Sequence, residues 1–188
     1  DAVELHTRIG RAGAFAARLN QLVAAAVSLH RVAVSCGLEA AAGPIAQPGR
    51  IEPRVLIAEL WQRHAQLRQA GLRPLWQLDG RPMSGDVGAG TARSAVNLLQ
   101  AVAAKAPPGP LQLAGGTNDR TLDLVEGLDP GLRRTVAGVA FGSVARSRLQ
   151  PLLLQAQARG GRLLDQRDLL PRALASATEL VEGWLRRG

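Results

Sequence analysis

The run Pro74-Leu-Trp-Gln-Leu-Asp-Gly-Arg-Pro-Met-Ser-Gly-Asp-Val-Gly-Ala-Gly-Thr91 begins as a strand, passes into a glycine-rich loop and ends where a helix starts. Leu75 to Leu78 is a short apolar run of the kind buried in a sheet. Asp79-Gly80-Arg81 closes it, Gly85, Gly88 and Gly90 space the loop, and Thr91 stands at a predicted helix N-cap. A strand, a glycine loop and a helix start in succession can gather backbone N–H groups around an anion. The glycine spacing matches neither the P-loop nor the dinucleotide-binding fingerprint.

The same alternation runs outward in both directions. Upstream, Ala2–His6 and Val32–Cys36 read as strands. Helical patterns follow each, one between Ala12 and Val27 and one from Pro53 to Ala70. The second places Ile57, Leu60, Trp61, His64 and Leu67 on one face, with Pro53 in the first turn. Between them lies a loop rich in Ala, Gly and Pro, from Ala40 to Gly49. Downstream, Ala92, Ala95, Val96, Leu99 and Ala103 make an apolar stripe that ends at Pro107-Pro108-Gly109-Pro110. Leu111–Ala114 and Val136–Phe141 are the last two strands, separated by a helix of about two turns from Asp119 to Gly127. Val144–Leu149 begins a helix expected to restart or kink at Pro151, and Gly160-Gly161 is a turn. A final amphipathic helix from about Pro171 carries Leu174, Ala177, Val181, Trp184 and Leu185.

Strands joined one to the next by helices predict an α/β fold with parallel strands and right-handed crossovers. The expected architecture is the last five units of a (β/α)8 TIM-like barrel; the alternative is an open doubly wound sheet. The chain reads as a single α/β domain over residues 1–188, with βα units to about residue 158 and a tail from 159 to 188. Its opening, Asp1 to Thr7, has no initiating Met and no signal-peptide pattern. It reads as a strand entered midway, which predicts the C-terminal part of a longer chain.

The composition narrows the partners. The net charge is +8, yet among 23 basic residues only Lys105 is a lysine. A GC-rich genome produces such a bias unaided. The arginines are dispersed, Tyr is absent and Phe occurs twice, so bases would find few stacking platforms; no nucleic-acid partner is expected. No apolar run has the roughly 18 residues of a membrane span. Cys36 is the only cysteine, which excludes an intrachain disulfide, fits a reducing, cytoplasmic setting and leaves no cysteine-based metal site. It reads as a small apolar filler.

Ligands of parallel α/β folds sit at the C-terminal ends of the strands. Those ends hold His6 and Thr7, Ser35 and Cys36, Asp79 and Arg81, Thr117 and Asn118, and Ser143. The candidate anion or ligand site therefore comprises His6, Asp79, Arg81, Ser84, Gly85, Asp86, Gly88, Gly90, Thr91, Gly115, Gly116, Thr117, Asn118, Gly142 and Ser143. Gly115-Gly116 and Gly142-Ser143 stand where barrels build a phosphate site from their last two loops. Asp79, Arg81 and Asp86 can be a catalytic group or an ion pair pinning the loop. No Ser-His-Asp order, His-x-His pair or carboxylate dyad stands out, so no catalytic or metal-binding residue is assigned. His64 reads as a core-edge residue, and Trp61, Trp76 and Trp184 read as packing.

Four stretches carry a resemblance: Asp1 to Thr7, Arg81 to Thr91, Leu111 to Asn118 and Val136 to Ser143. Together they resemble the C-terminal domain of the cyanobacterial light-dependent period proteins. The run Arg81-Pro-Met-Ser-Gly-Asp86 is the most specific part. The resemblance implies an iron–sulfur protein that passes light and redox state to the circadian clock. It implies 4Fe–4S clusters held by ferredoxin-like cysteines in an upstream module, a spacing this chain lacks. It further implies that this domain serves interaction or ligand sensing, with that module and clock proteins as partners. A barrel-like enzyme, or the relic of one, binding a phosphorylated metabolite or flavin at the strand ends, is the alternative.

Overall fold

The computed structural model describes residues 2–25, 28–29, 31–38, 51–80 and 90–187. Five strands and seven α-helices alternate through these residues. β1 (Ala2–Leu5) leads to α1 (Ala12–Ala24), and β2 (Arg31–Cys36) to α2 (Pro53–Gln69). β3 (Pro74–Asp79) leads to α3 (Ala92–Ala103), and β4 (Leu111–Ala114) to α4 (Thr121–Glu126) and α5 (Pro130–Arg134). β5 (Val136–Val139), α6 (Ser143–Ala158), a 3-10 turn at Leu163–Asp165 and α7 (Leu169–Leu185) complete the chain.

All five strands are parallel and lie in the order β1-β2-β3-β4-β5. A doubly wound sheet reverses its strand order at a switch point. No reversal occurs here. Right-handed crossovers between neighbouring strands lay the connecting helices on one face, as in the units of a barrel, and consecutive helices α1 to α4 touch in turn. Among the described residues the sheet is open, with β1 and β5 as its edges. Register is regular until β4 meets β5, where Ala137 is skipped between Val136 and Gly138. A bulge there adds twist at that edge.

Strand alternation sorts the side chains. Val32, Val34, Cys36, Trp76, Leu78, Leu111 and Leu113 face the helices and join Leu56, Leu60, Leu67, Leu99 and Val102 in one core. Trp76 is fully buried, and its indole Nε1 donates to the Pro108 carbonyl at 2.9 Å. The opposite sheet face carries Glu4, Ser35, Gln77 and Asp79. Gly80 leaves β3 tightly against α3. A Cβ on it would collide with the backbone of Ser94 and Ala95.

Several elements depart from the sequence expectation. Pro151 lies inside one continuous helix, α6, rather than at a restart. α5 is an additional helix, opened by Asp129, whose carboxylate accepts from the Gly131 and Leu132 amides at 2.7 and 3.1 Å. Thr91 does precede α3, but its hydroxyl makes no cap bond. On α2, Trp61 is 52% exposed and meets His64 edge to face, while Arg63 is 2% exposed. α7 begins at Leu169 and buries Leu169 and Ala173, whereas Leu174, Val181 and Leu185 face outward. α6 and α7 share a small core of their own, formed by Leu152, Ala156, Leu169 and Ala173. The loop from Ala40 to Gly49 lies outside the described residues.

Candidate functional site

At the C-terminal ends of β1 to β3, the two-residue period of a strand gathers polar groups on the face away from the helices. Gln77 Nε2 donates to Glu4 Oε1 at 2.7 Å, and His6 Nδ1 lies 3.3 Å from the same oxygen. Ser35, fully buried, is the register partner of Gln77. Its hydroxyl oxygen accepts from the Thr7 amide at 2.9 Å, which ties the β1–α1 loop to β2. The single Ser35 proton has two acceptors, the Thr7 carbonyl at 3.3 Å and the carboxylate of Asp79.

Asp79 is the electrostatic centre of this cluster. Burial pushes its pKa up from 3.8 to about 6; His6 opposes that rise, Glu4 adds to it, and hydrogen bonds from Gln77 and Ser35 oppose it. A carboxyl so placed takes up and releases a proton close to neutrality. Glu4 and Gln77 are the members that sequence reasoning left out. Their signal was the period of two that joins Glu4 to His6 and Gln77 to Asp79.

A second polar network joins Thr91, at the start of α3, to the segments after β4 and β5. Gly115 and Gly116 have φ of +60° and +98°. A Cβ on Gly116 would lie 2.9 Å from the Thr91 carbonyl oxygen, so this loop needs glycine for both backbone shape and space. The Thr91 hydroxyl donates to the Gly116 carbonyl and the Thr117 hydroxyl to the Ala140 carbonyl, each at 2.6 Å. Asn118 Nδ2 donates to Thr91 Oγ1 at 3.3 Å, and the Asn118 amide donates to Thr121 Oγ1 at 2.8 Å. The Arg120 amide donates to Asn118 Oδ1 at 3.0 Å. Thr91, Thr117, Asn118 and Thr121 are all buried. These bonds tie the start of α3 to the β4–α4 loop, and that loop to the end of β5. Gly142 and Ser143 begin α6, where Arg146 Nη2 donates to Ser143 Oγ at 3.4 Å.

The expected site residues thus fall into two groups: His6 with Asp79, and Thr91 with Gly115, Gly116, Thr117 and Asn118. Gly142 and Ser143 adjoin the second group through Ala140. Gly90 is exposed and its carbonyl accepts from the Arg93 amide at 3.3 Å. Arg81, Ser84, Gly85, Asp86 and Gly88 lie outside the described residues.

Cys36 does not suit an iron–sulfur cluster. Its thiol is 2% exposed and donates to the Gln77 carbonyl at 3.4 Å. Burial, reinforced by Asp79 and opposed by Arg63, holds the thiol pKa well above its usual value. A cluster needs several thiolates, and the chain has one cysteine. Among the described residues, no group of three His, Cys, Asp or Glu side chains can hold a metal ion.

Behind the first cluster, α2 sends Arg63 under the β1–α1 loop. Arg63 Nη2 donates to the Arg8 carbonyl at 2.8 Å and also pairs with Glu59. Glu59 in turn accepts from the Gly10 amide at 2.8 Å. The guanidinium carbon lies 5.1 Å from the Phe15 ring centroid, a cation–π contact. Arg63 was not foreseen from the sequence, since a charged residue signals solvent unless its partner is known.

Comparison with known proteins matches residues 1–183 to the light dependent period A C-terminal domain. Light dependent period A of Synechococcus elongatus is 36% identical over 184 residues, covering 96% of this chain and 48% of that protein. The chain thus spans about half the length of the curated relative. No solved structure matches it.

Proposed function

The chain belongs to the light dependent period A C-terminal domain family, and on that premise we propose that it is an interaction or ligand-sensing domain feeding light or redox state into the circadian clock. Its partners on this reading are clock proteins and an iron–sulfur module elsewhere in the full-length protein, and its setting is the cytoplasm. 4Fe–4S clusters, where present, take their ligands outside these residues. The observation that carries the reading is the family match across residues 1–183. The hydrogen bonds that tie the β1–α1 loop to β2 and the β4–α4 loop to α3 and β5 support it, since they fix the strand ends against one another. Among the described residues, no helix is long and apolar enough to cross a membrane.

Deletion of this domain from the full-length chain tests the proposal. The truncated protein should keep its iron–sulfur absorption yet fail to support light-dependent adjustment of the clock period in a cyanobacterial host. A normal period response without the domain would overturn the sensing role. Loss of absorption on deletion would overturn the placement of the clusters elsewhere.

One observation favours a second reading. Asp79, titrating at about 6 beside His6 and Glu4, is placed as a general acid–base group of an enzyme or enzyme relic would be. Turnover of a phosphorylated metabolite or flavin that vanishes in Asp79→Asn would establish it.

A further inference from the structure

A cavity of about 510 Å³ opens at the C-terminal end of β1, against the first turns of α1. Leu5, Ala14 and Phe15 line its apolar part, and Arg8, Arg11 and Arg18 its basic part. We propose that this cavity binds a small organic phosphate, its phosphate gripped by the three arginines and its body laid on the apolar floor.

Charge, size and position each support the assignment. None of the three arginines forms an ion pair among the described residues. Arg18 is steadied by Gln21 Oε1 at 2.9 Å. Glu4 is the one carboxylate in the lining, and Gln77 and His6 already engage it. The first turn of α1 carries no acidic residue and no side-chain cap, so its amide dipoles leave the positive potential unopposed. The guanidinium fork matches phosphate oxygens in pairs, and three of them suit a dianion better than a single carboxylate. The volume falls within the roughly 300–1,000 Å³ of small-molecule pockets.

The inference names a ligand class for the ligand-sensing reading and rests on it only for its biological meaning. Calorimetric titration of the full-length chain with adenosine monophosphate, inorganic phosphate and adenosine tests it. The mononucleotide should bind, inorganic phosphate should compete with it, and adenosine should not bind. Arg11→Gln and Arg18→Gln, both at exposed positions, should each weaken binding by about tenfold. Arg186→Gln, just beyond the end of α7 and outside the cavity lining, should leave it unaltered. Absence of mononucleotide binding to the intact chain overturns the proposal. So does binding of adenosine as tight as that of its monophosphate, or affinity indifferent to Arg11→Gln and Arg18→Gln. A chain that binds phosphate yet leaves the clock period unaffected would refute the clock reading while sparing the site.

Discussion

Asp79 shows how one side chain records its surroundings. In the unfolded chain its carboxyl titrates at its ordinary 3.8, and in the fold at about 6, chiefly through burial. Between those values the native state binds more protons than the unfolded state, so stability falls as pH rises through that window. The penalty is absent below about pH 3.8 and complete above about pH 6. A displacement of this size corresponds to roughly 3 kcal/mol at most, and partial exposure to solvent reduces it to about 1–2. Asp79→Asn should therefore raise stability at pH 7.5 by about 1–2 kcal/mol. It should also remove the decline between pH 4 and 6, as followed by urea denaturation across that range. An unchanged pH profile would mean that Asp79 is solvated in the folded protein.

At the level of elements, α2 does more than cover the sheet. Arg63 and Glu59, 2% and 12% exposed, join it to the β1–α1 loop through the Arg8 carbonyl and the Gly10 amide. Removing one partner of a buried pair strands the other charge without compensation, at a cost of about 3–5 kcal/mol. Glu59→Leu should therefore lower the melting temperature sharply. Adding Arg63→Met should recover much of the loss, because a matched apolar pair leaves no buried charge. Equal stability of the single and double variants would show that the pair is not coupled. Helical period alone grouped Trp61 with Ile57, Leu60 and Leu67 on one face of α2, and Leu174, Val181 and Leu185 with Trp184, which does pack against the core, on α7. The fold exposes Trp61, Leu174, Val181 and Leu185, since a period names a stripe but not the element that covers it.

For the whole molecule, the decisive feature is the sequential parallel order of the strands. Successive units of a barrel have this order. On the proposed barrel, further βα units from the full-length protein lie between β5 and β1. Residues 1–188 expressed alone should then self-associate through two unpaired edges, and the full-length chain should not. Sedimentation velocity on both would decide. A monomeric, cooperatively melting fragment would count against closure and favour the open sheet as the finished architecture.

The strands, the parallel α/β class and the apolar stripe of α3 could all be read from residue patterns, because local period and glycine punctuation act over a few residues. Thr91, Thr117 and Asn118 were likewise visible as strand-end polar groups. Their partners were not: the Gly116 and Ala140 carbonyls lie 25 and 23 residues away along the chain. The Glu4–Gln77 bond spans 73 residues. Which of the 23 basic residues would be buried, and which three would rim a cavity, depended on the angle at which α1 and α2 cross the sheet. Chain chemistry determines what each residue can do. Only tertiary packing sets the distances on which hydrogen bonds, buried charges and displaced pKa values depend.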